Sequence, residues 1–197
     1  MKVGLLFSGG TDSTLAALML DQFYDVTLVT VHFGVSDDWE RAQAVAESIG
    51  LPFVDIAVDR SVAEDALDLV LRDERARRGI DQLHLAALEA LAEDETYDAV
   101  ADGTRRDDRV PSVSRAKAQQ LERTYGVDYV SPLSGFGRRA VDRLVEEYLE
   151  IEVGPAQDID RPDYETVLRD LCATRSDLED ADSLFPSRTQ TAVIGLR

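Results

Sequence analysis

The feature that most constrains this chain is a change of hydrophobic period that recurs from residue 3 to about residue 150. Short apolar or β-branched runs at residues 3–7, 26–33, 53–58, 99–101 and 129–133 read as strands. Between them lie segments of helical composition at 12–22, 37–49, 62–78, 83–93, 114–125 and 139–149. Gly50 and Gly126 follow two of these helices as C-terminal caps, and Gly79 is expected to separate the third helix from the fourth. Strands alternating with helices of this length need crossover connections, and so predict βαβ units and a parallel sheet. Past Gly154 the pattern changes. Pro155, Pro162 and Pro186 break it up, leaving a helical stretch at 161–172 and a last short strand at 190–197. The expected organisation is one α/β domain over residues 1–153, with residues 154–197 as a C-terminal extension packed on the core or capping the site.

Ligands of parallel α/β sheets sit beyond the carboxyl ends of the strands. The first strand runs directly into Ser8-Gly9-Gly10-Thr11-Asp12-Ser13-Thr14 and then into a helix. Two glycines let the backbone approach a ligand closely and take positive φ. The first amides of the next helix, with its dipole behind them, favour an anion. Ser8, Ser13 and Thr14 add hydroxyl donors. Asp12 is out of place beside phosphate unless Mg²⁺ accompanies it. The loop lacks the Gly-Lys-Ser/Thr ending of the common nucleotide loop and the spacing of Gly-x-Gly-x-x-Gly. A plain strand-to-helix turn with a Ser or Asp cap is the alternative.

Ser8, Gly9, Gly10, Asp12 and Ser13 together resemble the Ser-Gly-Gly-x-Asp-Ser signature of the PP-loop ATP pyrophosphatases. That superfamily includes asparagine, GMP and NAD synthetases, tRNA lysidine synthetase and the tRNA thiolases. The resemblance implies a Rossmann-like, HUP-type fold with a five-stranded parallel sheet and helices on both faces. It implies ATP held by Ser8, Gly9, Gly10, Thr11, Asp12 and Ser13, and cleaved to AMP and pyrophosphate. Asp12 and Ser13 would then serve catalysis. Adenine is expected at Val31, His32 and Phe33, although strand alternation alone would put Val31 and Phe33 in the core and His32 outside.

Asp102-Gly103-Thr104-Arg105-Arg106-Asp107-Asp108-Arg109 follows the fourth strand. It is similar to the motif of tRNA lysidine synthetase and the thiolases, in which paired Asp follow a small residue and one or two histidines. Thr104 stands here where relatives place histidine, which leaves the substrate open. Gly103 and Thr104 are expected beside the nucleotide, and Asp107 and Asp108 are expected with Asp12 around Mg²⁺. The arginines suit phosphate or a planar anion, or form a solvated loop. Ser131-Pro132-Leu133, followed by Arg138-Arg139, resembles a basic segment after the fifth strand of relatives. Arg138 is expected to neutralise the leaving pyrophosphate, with surface pairing to Asp142 or Glu146 as the alternative. Arg188 and Gln190 are candidates to close over the site.

Composition bounds what else the chain does. Asp and Glu total 39 against 21 Lys and Arg, a formal net charge of −18, and only Lys2 and Lys117 are lysines. These carboxylates are spread through periodic segments rather than gathered in a tail, as expected of adaptation to concentrated salt. In such salt the global charge says little about nucleic acid, and only a local arginine cluster would. Cys172 is the one cysteine, so an intramolecular disulfide and every zinc pattern built on Cys pairs are excluded. No apolar run is long enough for a membrane span, and the N-terminus lacks the features of a signal peptide, so the expected location is cytoplasmic. The expected activity is adenylation of an acceptor, a tRNA base, at the expense of ATP with Mg²⁺. Cys172 alone cannot deliver sulfur, so a separate sulfur or amine donor protein is the expected further partner. A non-catalytic ATP- or AMP-binding module, or a subunit of a larger complex, is the alternative. A homodimer is compatible with the sequence and not required by it.

Overall fold

The structure, a computed structural model, describes residues 1–155, 159, 162–175, 184–185 and 189–197. Five strands, β1 (Lys2–Leu6), β2 (Asp25–His32), β3 (Phe53–Ala57), β4 (Ala99–Ala101) and β5 (Asp128–Val130), form one parallel sheet in the order β3-β2-β1-β4-β5. The sequence of β1 explains its central place: Val3 and Leu5 are fully buried, and Gly4 leaves no side chain to hold helices away. A Cβ on Gly4 would lie 2.7 Å from Leu91 Cδ1, so the helix carrying Leu91 lies flat against the strand.

Helices cover both faces. α1 (Thr11–Leu20), α2 (Trp39–Ile49) and α6 (Arg138–Tyr148) pack on one face through Ala16, Ala42 and Val141 against Leu5 and Leu28. α3 (Arg60–Asp73), α4 (Ala76–Ala92), α5 (Arg115–Tyr125) and α7 (Tyr164–Thr174) share the other core, with Leu83, Leu88, Leu121 and Leu168 against Val29 and Val100. This is the α/β fold with a parallel sheet that the hydrophobic pattern predicted, in the Rossmann-like, five-stranded form that the resemblance implied. The strand order reverses between β1 and β4, so the carboxyl ends of these two neighbours form the switch point where α/β sheets bind ligands.

Two boundaries differ from expectation. The break between α3 and α4 lies at Glu74, in the left-handed region at φ 52°, and not at Gly79. Gly79 sits inside α4 because three helices meet there: its Cβ would be 2.5 Å from Val70 Cγ2 and 3.3 Å from Leu168 Cδ1. The helix after β5 stops at Tyr148, and Leu149 begins β6 (Leu149–Pro155), an unexpected strand that crosses residue 153. β6 pairs antiparallel with β7 (Thr189–Leu196), the anticipated last strand. This two-stranded ribbon reaches the site, because the Val193 amide donates a hydrogen bond to the Gly9 carbonyl at 3.1 Å. No helix among the described residues is long and apolar enough to cross a membrane.

Candidate functional site

The β1–α1 loop is tight and internally braced. Gly9 adopts φ 68°, and Gly10, the N-cap of α1, has no side chain to cover the first amides of the helix. The Ser13 hydroxyl donates to the Gly10 carbonyl at 3.2 Å and accepts from the Ser8 amide at 3.3 Å. The Thr14 hydroxyl also donates to Gly10, at 2.9 Å, and is fully buried. Thr14 therefore holds the loop's shape and presents no hydroxyl to a ligand, contrary to expectation. Ser8, Asp12 and Ser13 line a cleft of about 320 Å³ that opens at the switch point.

The far wall of the cleft comes from β4 and the residues after it. Asp102 is 1% exposed, and four donors converge on its carboxylate. His84 Nε2 and the Tyr129 hydroxyl donate to Oδ2 at 2.9 and 2.8 Å. The Thr104 amide and hydroxyl donate to Oδ1 at 2.9 and 2.6 Å. Burial alone would raise this carboxyl, but the His84 and Thr104 donors outweigh it and hold it below its ordinary range. A carboxylate only accepts, so His84 donates to it through Nε2, and its Nδ1 lies 3.3 Å from the Tyr164 hydroxyl at the start of α7. Burial, reinforced by the charge on Asp102, pushes the hydroxyls of both Tyr129 and Tyr164 up, so they remain donors.

Gly103 joins the two walls. A Cβ there would lie 2.9 Å from both the nitrogen and the Cα of Ser13, so only glycine lets the chain after β4 touch the first turn of α1. Arg105 spans the mouth of the cleft. Its guanidinium reaches Asp108 at 2.8 Å and Asp12 at 3.4 Å. Both carboxylates, and Arg105 itself, face the cavity.

The other expected site residues separate. Val31 lines the cavity, whereas Phe33 is 1% exposed and belongs to the core. His32 turns to a neighbouring hollow, stacked on Trp39 at 5.9 Å and 3.2 Å from Asp55. Asp107 does not line the cleft: it accepts from the Arg138 amide at 3.0 Å and from Arg106 at 3.2 Å. The Arg138 side chain is exposed and lies 3.7 Å from Asp142, outside the cavity lining. Thr11 likewise stands outside the lining, and Gly9 and Gly10 shape the loop behind it. Gln190 is buried and donates to Asp163, beside the cleft, and Arg188 lies outside the described residues.

No group of three His, Cys, Asp or Glu side chains suited to a metal occurs among the described residues. Mg²⁺ nevertheless needs only one or two carboxylates when phosphate oxygens complete its shell. Asp12 and Asp108 fit that demand in position, with Arg105 between them as the counter-charge already present. His84, Asp102, Tyr129 and Tyr164 were not foreseen. The available signal was His84 itself, a polar residue on the apolar face of a helix beside Ile80, Leu83, Ala87 and Leu88.

Known proteins resemble this chain in sequence or in fold. A model of a Family of unknown function (DUF7411) matches residues 1–195. The uncharacterised protein MJ0690 of Methanocaldococcus jannaschii is 36% identical over 198 residues, covering 100% of this chain and 97% of its own. A crystal structure described as the predicted subunit of a tRNA methyltransferase, also from M. jannaschii, superposes with a TM-score of 0.92 at 36% identity, covering 100% of this chain and 98% of that one. The U34-tRNA thiolase NcsA of Methanococcus maripaludis, with its [4Fe-4S] cluster, shares the fold at a TM-score of 0.51 and 19% identity, over 74% of this chain and 56% of its own.

Proposed function

The chain belongs to the Family of unknown function (DUF7411), and from that premise and the cleft geometry we propose an ATP pyrophosphatase-type enzyme that adenylates an acceptor in tRNA base modification. The observation that carries this reading is Gly103 pressed on Ser13. It puts the Ser8–Ser13 loop, the start of α1 and the acidic and basic groups after β4 around one cleft at the switch point. In this reading the amides of the loop and of the first turn of α1 hold the β- and γ-phosphates. Asp12 and Asp108 would hold Mg²⁺, which would supply positive charge beside the phosphates. Arg105 swings from its carboxylate partners to a phosphate oxygen, a bidentate match for its guanidinium. Val31 borders the base.

Catalysis of this kind rests on positioning and charge, and it needs no nucleophile from the chain. Cys172 agrees with that: it is 2% exposed, and burial pushes its thiol up. The displacing nucleophile is assigned to a separate sulfur or amine donor. The tRNA-related descriptions of the similar M. jannaschii subunit and of NcsA support the choice of acceptor.

A non-catalytic ATP- or AMP-binding subunit is the second reading, favoured by Arg105 standing between Asp12 and Asp108 where a metal would sit. Incubation of the purified protein with ATP labelled at the α-phosphate, Mg²⁺ and unmodified tRNA separates the two. The enzyme reading predicts pyrophosphate release with an equimolar transfer of the label to the tRNA as its adenylate, and release of that label as AMP once a sulfur or amine nucleophile is added. Bound but uncleaved ATP selects the subunit reading, and ADP with free phosphate contradicts both.

A further inference from the structure

The rim of the cleft is electrostatically two-sided. Residues 104–117 and 134–139, beyond the carboxyl ends of β4 and β5, hold seven basic and two acidic residues. Residues 34–41 and 58–65, in the corresponding place beyond β2 and β3, hold two basic and six acidic ones. In a chain of net charge −18, a basic rim on one side is a local departure from the whole. Arg106, Arg109, Arg115, Lys117, Arg138 and Arg139 are all exposed there. The two acidic residues on this side are already engaged, Asp108 by Arg105 and Asp107 by Arg106 and the Arg138 amide. Arg109, Arg115, Lys117 and Arg139 make no ion pair among the described residues.

Apart from the exposed Arg138–Asp142 pair, ion pairing does not account for the cations at the starts of α5 and α6. Arg115 and Lys117 lie in the first turn of α5, Arg138 and Arg139 in the first turn of α6, and neither turn contains an acidic residue. α1, α2 and α7 do the reverse, with Asp12, Glu40 and Glu165 in their first turns. α3 and α4 also open on arginines, but Arg60, Arg77 and Arg78 there are each paired with a carboxylate, whereas Arg115 and Lys117 pair with none among the described residues. A cation at a helix N-terminus opposes the dipole, so α5 and α6 give up stability to add side-chain charge to dipole charge. Local rules broken without a structural gain mark function. The start of α6 belongs to one surface with the 105–109 segment, because a Cβ on Gly137, just before α6, would lie 2.6 Å from the Arg106 guanidinium, and α5 starts at the same end of the sheet, beyond β4.

We propose that this β4–β5 rim is a docking surface for the phosphodiester backbone of an RNA, whose base would reach the adjoining cleft. The proposal rests on the adenylating reading for its choice of partner. Guanidinium groups dominate the rim and match phosphate oxygens two at a time. An acidic protein partner would be expected to bury an apolar centre, yet none of the large exposed apolar side chains, such as Phe23, Tyr148 and Ile194, lies on this rim.

The test is fluorescence anisotropy of a labelled unmodified tRNA transcript against the full chain without nucleotide, over a series of salt concentrations, with ATP titrated separately into the same proteins. Arg109→Glu with Arg115→Glu is expected to weaken RNA binding by at least about tenfold and to flatten the slope of log affinity against log salt by roughly two. Lys2→Glu with Arg123→Glu, an equal charge change at the opposite end of the sheet, leaves binding near wild type. Arg115→Glu relieves the first turn of α5, so melting temperature is expected to hold or rise, which separates lost binding from lost fold. Equal weakening by both pairs, or no RNA binding by the wild type at low salt, overturns the proposal. RNA binding with this pattern but without ATP binding upholds the surface and contradicts the ATP reading alone.

Discussion

Between β1 and α1 the chain uses two glycines, backbone amides and small hydroxyl side chains. Around β4 it uses a buried carboxylate, a histidine from α4 and tyrosines from β5 and α7. The two stretches meet at Gly103 and line the same cleft. The side-chain bonds of the first run within seven residues, with the Val193 amide on Gly9 as a long-range brace, whereas the second depends on side chains 18 and 27 positions away from Asp102. The β4 wall exists only when α4, β5 and α7 are all in place, so it ties the cleft to the completed fold.

The sharpest way to break this contrast is to remove one anchor from each side. Asp102→Ala strands the donors of His84, Tyr129 and Thr104, so denaturant unfolding should show a loss of roughly 3–5 kcal/mol. Ser13→Ala loses a local bond and should cost only about 1 kcal/mol. Losses of similar size would erase the distinction. The carboxyl of Asp102 is depressed in the fold, so its stabilisation is complete above the ordinary carboxyl range and is lost as pH falls through its folded value. The melting-temperature gap between wild type and Asp102→Asn should therefore narrow below about pH 4.

Gly103→Val is expected to act next in size. Its Cβ meets backbone atoms of Ser13 at 2.9 Å, which cannot yield like a flexible side chain. Overpacking of this kind costs about 1–3 kcal/mol, and ATP affinity should fall with it as the two walls part. Gly9→Ala is the mildest of the set. With φ at 68° and Val45 Cγ2 3.2 Å from the new Cβ, it should cost about 1 kcal/mol in a thermal melt. An unchanged melt would show that the loop relaxes freely.

The same division explains what could be read from the residues alone. The five strands and the turn from Ser8 into the first helix follow from local pattern, and the structure assembles them as expected in topology, whereas the packing of Gly103 on Ser13 appears only in the fold. β6 was legible as well: Leu149-Glu150-Ile151-Glu152-Val153 alternates with period two, but it abuts a helix without a turn residue. Asp107 and Arg138 show the opposite. Their types suited metal and pyrophosphate, yet each side chain's direction depends on how α6 meets the 105–109 segment, which no spacing encodes. The Asp102–His84–Tyr164 chain was illegible for the same reason, since its members lie on three elements. Charge sits between these cases. The basic rim is visible in the sequence as scattered arginines, and gathers at one end of the sheet only when β4 and β5 pair in parallel, so that α5 and α6 both start beyond their carboxyl ends.

Calorimetric titration of ATP with Mg²⁺ into the wild type, Asp12→Ala and Arg105→Ala tests most directly whether the two walls form one nucleotide site. The account predicts one ATP per chain and a loss of at least about tenfold for either substitution, since each removes a charged contact from one wall. No heat of binding in the wild type, or Arg105→Ala binding as tightly as wild type while Asp12→Ala fails, would contradict it.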